Sequence, residues 1–259
     1  MVRRRVLDPA PVLDESFLLQ SLRDAGIKDV HSKAIWAYAL KAGKKDGHNA
    51  DFDGFEGSSF QASTPAHLTP LLNEKFGVLT SEVVETQMSE DGTVKLLVRL
   101  QDGKMVESVI IKHGGKYPRN TLCVSSQARR VGCQMACTFC ATGTMGLIGD
   151  LWAGEILEQV LHAIRVAPIR NIVFMGMGEP LNNYDAVLAA IRGMSDGRLF
   201  GLSPRHITLS TVGVVPRMRQ LTRDAPETQL ALSLHAPNQV KGKLMWRGDG
   251  SLPPYLSLV

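Results

Sequence analysis

The chain has 259 residues, 44% hydrophobic and 21% charged, which is ordinary globular composition with material for one large or two modest domains. Its apolar runs stay short of the roughly 18 residues that cross a bilayer, and its 4 cysteines are too few for a disulfide scaffold, which points to a reducing compartment. A net charge of +4 is too small to name a partner by itself, although Ser108 to Gly149 contains no acid and holds Lys112, Lys116, Arg119, Arg129 and Arg130.

The opening residues MVRRRVLDPAPVLDESF carry arginines with no apolar stretch behind them. Asp8, Asp14 and Glu15 speak against a transit peptide, so a cytoplasmic address is expected, with an organelle as the alternative. SFLLQSLRDAG and VHSKAIWAYALKAGKK have apolar residues three and four apart and serines near their starts, and STPAHLTPLLNEKFG has Pro65 for a first turn and Gly77 for a stop. They predict three helices. GHNADFDGFEGSSFQAS, between the second and third, reads as a long exposed loop. EVVETQM, TVKLLVRL and KMVESVII, separated by the Asp-Gly turn signals SEDG and QDG, predict a small antiparallel meander.

Near residue 110 the pattern changes to strand and helix in alternation: TLCVSS, AGEILEQVLHAIRVA, NIVFMGMG, YDAVLAAIRGM, HITLSTVGVV, VPRMRQLTRD and TQLALSLHA. Such alternation predicts βαβ units and a parallel sheet. Ligands of these sheets sit at the carboxyl ends of the strands. Those ends carry Gly176, Gly178 and Glu179, then Ser210 and Thr211, then Ser233, His235 and Asn238. After the first strand of this half comes CQMACTFC, three thiols on one short segment: Cys133, Cys137 and Cys140. Three soft ligands suit zinc with a fourth donor, which Cys123 could supply, or an iron-sulfur cluster with one iron left open to a small molecule.

The C-x-x-x-C-x-x-C spacing resembles the radical S-adenosylmethionine signature. TLCVSSQ...VGC, GMGEPLNN, LSTVGVVP and LSLHAPN together resemble the RlmN/Cfr-type methyltransferases, in order, from about residue 15 to Asn238. The resemblance implies an α/β fold: a partial (β/α) radical SAM barrel over 115–259, incomplete at its C-terminus, behind a small α+β domain over 1–110 that contacts RNA. It implies methylation of carbon 2 of adenosine in rRNA and tRNA, with an electron donor such as a flavodoxin or ferredoxin and no membrane partner. Cys133, Cys137 and Cys140 would hold a 4Fe-4S cluster whose open iron binds S-adenosyl-L-methionine. Gly178, Glu179, Ser210, Ser233 and His235 would contact that cofactor, the Glu179 carboxylate accepting from its ammonium. Cys123 would be the resolving cysteine, and Glu107 the base at carbon 2.

Three features depart from the family pattern. Ala128 to Arg130 lengthen the usual SSQVGC, and one residue is added between the Ser210 and Ser233 motifs. After LSLHAPN the sequence runs QVKGKLMWRGDGSLPPYLSLV, without strand and helix alternation. The last strands of the family barrel, and the cysteine that first carries the methyl group, are therefore expected to be missing from a truncated chain. The alternative to methylation is then an iron-sulfur or RNA-binding protein without turnover.

Overall fold

The computed structural model describes residues 5–43, 55, 58–61, 64–114, 119–127 and 149–234. In chain order these form β1 (Ala10–Pro11), α1 (Glu15–Asp24), α2 (Ser32–Gly43), α3 (Ser58–Gln61), α4 (Leu68–Lys75), β2 (Phe76–Gly77), β3 (Glu82–Met88), β4 (Val94–Arg99) and β5 (Met105–Ile111). There follow β6 (Asn120–Val124), α5 (Ala153–Val166), β7 (Ile169–Phe174), α6 (Tyr184–Ser195), β8 (Ile207–Thr211), α7 (Val215–Asp224) and β9 (Gln229–Leu232). Two expectations shift. The third predicted helix begins only at Leu68, after Pro65, and gives way to strand at Phe76, while part of the predicted loop, Ser58–Gln61, is helical.

Seven strands make one sheet in the order β3-β4-β5-β6-β7-β8-β9, with β1 and β2 a separate parallel pair. Pairing is antiparallel from β3 to β6 and parallel from β6 to β9. The change of sequence style near residue 110 is thus a change of pairing mode within a continuous sheet, since Val109 pairs with Cys123 and Ile111 with Thr121. Parallel neighbours need a crossover, and α5, α6 and α7 supply it in turn. The result is an α/β partial barrel.

Alternation along each strand sorts the sheet into two faces. Val106, Ser108 and Ile110 of β5, Leu122 and Val124 of β6, Ile172 and Phe174 of β7, and Ile207 and Leu209 of β8 are buried, and the apolar ones share a core with Ile156, Val160, Val187 and Ile191 of the helices. Glu107, Cys123, Val173, Thr208 and Ser210 alternate with them and occupy the opposite face, as the pairs Val109 with Cys123, Cys123 with Val173 and Val173 with Thr208 require. The amino-terminal helices join the same core through Leu18, Leu22, Ile35 and Trp36. Leu18 and Leu22 are wholly buried, a stabilisation of about 1.5–3 kcal/mol each over exposure.

Helix α5 lies between the sheet and the amino-terminal residues and is buried on both sides. Its polar residues Glu155, Glu158, Gln159 and His162, at helical spacing, are all at most 2% exposed. Asp14 caps α1, accepting from Phe17 N at 3.4 Å, and also accepts from Gly154 N in the first turn of α5 at 3.3 Å. The close approach requires glycine, because a Cβ on Gly154 would stand 2.5 Å from Pro11 Cβ. Arg5 reaches Glu155 at 2.8 Å and Asp102 at 2.7 Å, both partly buried ion pairs. Further along the helix the Glu158 carboxylate accepts from Thr80 N at 2.8 Å, from Thr80 Oγ1 at 2.9 Å and from Ser81 Oγ, whose oxygen also lies 3.0 Å from His162 Nε2. Burial pushes the Glu158 carboxyl up to about 7 against those donors, and pushes the His162 imidazolium down to about 4.

Candidate cofactor-binding face

Beyond Phe174 the chain runs through Met175, Gly176, Met177 and Gly178 flush against the end of β6. Gly176 N donates to Val124 O at 3.1 Å, and Ser126 N and Gln127 N both donate to Met177 O at 3.2 Å. Neither glycine tolerates a side chain. A Cβ at Gly176 would meet Ser125 Oγ at 2.5 Å, and Gly178, with φ of +92°, would place one 2.5 Å from Gln127 Oε1. The glycines are required because Ser125 and Gln127 already occupy the space a side chain would take.

Ser125 fastens this edge. Its hydroxyl donates to Glu107 O at 2.7 Å and accepts from Met177 N at 3.1 Å. Its backbone N–H and C=O pair with the Gln159 side-chain amide of α5, each at 2.9 Å, so that glutamine continues the ladder where β6 ends. Ser108 Oγ also donates to Gln159 Oε1, at 2.9 Å.

Glu179 braces the next strand end. Its Oε1 accepts from Leu181 N at 3.0 Å and Thr211 Oγ1 at 2.8 Å, and its Oε2 from Val212 N at 2.9 Å. With 2% exposure the side chain is turned into the protein, and burial raises its carboxyl above the ordinary value despite the three donors. Three of about four lone-pair positions of a carboxylate are thus taken by the protein itself. The carboxylate thereby ties β7 to β8 and keeps one acceptor position for the ammonium that the sequence expectation assigns to it. Beside it, Ser210 and Ser233 share a hydrogen bond of 2.8 Å between their hydroxyls, and Ser233 N donates to Thr211 O at 2.7 Å.

Glu107 and Cys123 stand on the same open face. Val109 is paired with Cys123 and Ser125 bonds Glu107 O, so the two lie diagonally on adjacent strands. The Cys123 thiol is half-buried, which pushes its pKa up and keeps it a thiol near neutrality. Of the sequence candidates, Glu107, Cys123, Ser210 and Ser233 share that open face, with Gly178 and Glu179 at its rim. Cys133, Cys137, Cys140 and His235 lie outside the described residues. Sequence reasoning missed Gln127, Gln159 and Asn183, which build the rim. The only signal for Gln159 was its place in the polar stripe of α5, which has the spacing of a solvent face.

The face suits a ligand with an amino-acid end. The paired hydroxyls of Ser210 and Ser233 can each donate or accept toward an ammonium or a carboxylate. The three thiols of CQMACTFC are soft donors of the kind an iron-sulfur cluster takes.

Comparison with known proteins bears on the family of the chain. Residues 130–252 match the model of the radical SAM superfamily. A probable dual-specificity RNA methyltransferase RlmN of Chlorobium chlorochromatii is 48% identical over 202 residues, 73% of this chain and 54% of that protein. The dual-specificity RNA methyltransferase RlmN of Pelobacter propionicus is 44% identical over 190 residues, 72% of this chain and 53% of that protein. The chain spans about half the length of the curated relatives it matches. The crystal structure of a radical SAM methyltransferase from Sphaerobacter thermophilus superposes with a TM-score of 0.74 at 32% identity, covering 92% of this chain and 67% of that one.

Proposed function

The chain belongs to the RlmN-type radical SAM methyltransferases, and from that membership we propose that it carries the cluster-binding and cofactor-binding part of an enzyme that methylates carbon 2 of adenosine in rRNA and tRNA. Cys133, Cys137 and Cys140 would hold a 4Fe-4S cluster, and Gly178, Glu179, Ser210, Ser233 and His235 would hold S-adenosylmethionine. Together these groups supply one-electron cleavage of the sulfonium as a source of radical chemistry.

What supports the reading most is the open face of the sheet, where the Ser210–Ser233 hydroxyl pair, Glu107 and Cys123 are gathered on its strands with the glycine strand end at Gly178 on the rim. Glu179 acts through Leu181, Thr211 and Val212 to fix the rim. Glu107, on a strand pinned by Ser125, would take the proton from carbon 2 of a base turned out of its stack. Cys123 serves as the thiol that resolves a covalent enzyme–RNA link, and its burial keeps it protonated until that step. The acid-free stretch from Ser108 to Gly149, with its five cations, suits an RNA backbone. The electron comes from a flavodoxin or ferredoxin, and the reaction runs in the cytoplasm.

The test is metal analysis after anaerobic reconstitution with iron and sulfide. About four irons and four sulfides per chain are expected, abolished by Cys137→Ala and unchanged by Cys123→Ala. One zinc per chain and no sulfide would overturn the proposal.

A further inference from the structure

Residues 128–148, which carry Cys133, Cys137 and Cys140, enter and leave the described structure through a neck with its own bonding. Gln127 and Asp150 form an isolated antiparallel bridge, and Leu151 N donates to Ser126 O at 3.2 Å. Across the two sides, Gln127 Nε2 donates to Asp150 Oδ1 at 3.0 Å. Asn183 spans them as well: its Nδ2 donates to Ser126 O at 3.0 Å on one side and to Leu151 O at 2.8 Å on the other. Ser126, Gln127 and Leu151 are no more than 4% exposed, and Asn183 is 9% exposed.

Asn183 occupies the N-cap of α6, where an asparagine side chain ordinarily accepts from a first-turn amide. Here it makes no such cap bond. A good capping residue has given up its local partner to hold two carbonyls of a distant segment. It also belongs to the 3-10 turn Pro180–Asn183 that directly follows Gly178 and Glu179, a turn stiffened by Pro180 and by Leu181 N donating to Glu179. On the other side, the stem of Gln127 lies over the Cα of Gly178, leaving its Oε1 buried without a partner.

We infer that Asn183 and Gln127 are positioning residues for the cluster: they tie both ends of the cysteine-bearing segment to the strand end at Gly178, which fixes the iron site relative to the cofactor site. The inference rests on the cluster reading above. A site whose ligands come from one segment is only as well placed as the ends of that segment, and a closed neck removes much of its freedom.

The experiment compares Asn183→Asp, which keeps the shape but turns a donor into an acceptor facing two carbonyls, with the milder Gln127→Met, which keeps the stem over Gly178 and deletes the bond to Asp150. Ser81→Ala, which removes the hydroxyl contacts to Glu158 and His162 further along α5, controls for general destabilisation. Two measurements are made on each full chain: hydrogen exchange at the Leu151 amide in the iron-free protein, and release of iron to bathophenanthroline disulfonate from the reconstituted protein. Both neck variants should speed each by about tenfold or more, while exchange in β6 and α5 stays near the parent value. Ser81→Ala should not speed iron release. Parent-like exchange and iron release in both neck variants would overturn the inference, as would equal acceleration by Ser81→Ala. If the parent chain takes up no cluster, the cluster reading fails by itself, and hydrogen exchange still decides whether Asn183 and Gln127 close the neck.

Discussion

Replacing Glu158 by glutamine sets burial against hydrogen bonding in a measurable way. The carboxyl is wholly buried, and three donors from Thr80 and Ser81 favour its charged form while desolvation favours the neutral one. Desolvation wins, with the folded-state value pushed up from 4.5 to about 7. A group whose pKa rises on folding contributes stability that is fully present below its unfolded value and lost as pH climbs through its folded value. For Glu158 that window runs from about pH 4.5 to about 7. At 1.36 kcal/mol per pKa unit, the contribution lost across it is about 3 kcal/mol. Glutamine does not titrate, so the destabilisation caused by Glu158→Gln should be largest at pH 4.5 and about 3 kcal/mol smaller at pH 7. His162 masks this in the parent, because its folded value falls from 6.5 to about 4 and its contribution is lost in the opposite direction, as pH falls through that range. The variant should therefore show a stability that rises steeply between pH 4 and 6.5, where the two residues nearly cancel in the parent. Urea unfolding of parent and variant at pH 4.5, 5.5, 6.5 and 7.5, followed by tryptophan fluorescence, gives the difference directly. A penalty that grows with pH would mean that the three donors outweigh burial and that Glu158 is a charged clamp.

Gly178→Ala forces an L side chain to φ of +92° and drives its Cβ into Gln127. Backbone strain and the lost Gln127–Asp150 bond should together cost about 2–4 kcal/mol, and binding of labelled S-adenosylmethionine to the reconstituted protein should fall at least tenfold in equilibrium dialysis. Because burial raises the Cys123 thiol, its alkylation by iodoacetamide at pH 8, followed by peptide mapping, should be slower than that of a free thiol such as glutathione. Faster alkylation would contradict the buried-thiol assignment. If the basic approach grips RNA backbone, replacing Arg129 and Arg130 by alanine should weaken binding to unrelated structured RNAs and lower the slope of log K against log salt by about 2; an unchanged slope would remove these arginines from the interface.

The strands and crossover helices were readable because their periodicity follows directly from which face is buried. EVVETQM coincides with β3 and VPRMRQLTRD with α7, and the other two meander strands differ from their predicted ranges by one residue at one end or both. The glycine and serine strand ends were readable because close backbone packing and hydroxyl placement need particular residues. What periodicity could not reveal was burial on a second side. Glu155, Glu158, Gln159 and His162 have the spacing of a solvated stripe, yet Arg5, Thr80, Ser81 and Ser125 cover them, and those partners come from distant parts of the chain. The join between meander and barrel was hidden for the same reason, since pairing of Val109 with Cys123 is a tertiary fact. Asn183 reads as an ordinary helix cap until its partners at Ser126 and Leu151 are known.

The central claim is that this chain binds both an iron-sulfur cluster and S-adenosylmethionine, with Gly178 at the cofactor site, and electron paramagnetic resonance of the reduced, reconstituted chain tests it most directly. The account predicts a cluster signal that changes shape when S-adenosylmethionine is added, with the change lost in Gly178→Ala and retained in Cys123→Ala. A cluster signal indifferent to S-adenosylmethionine in the parent chain would contradict it.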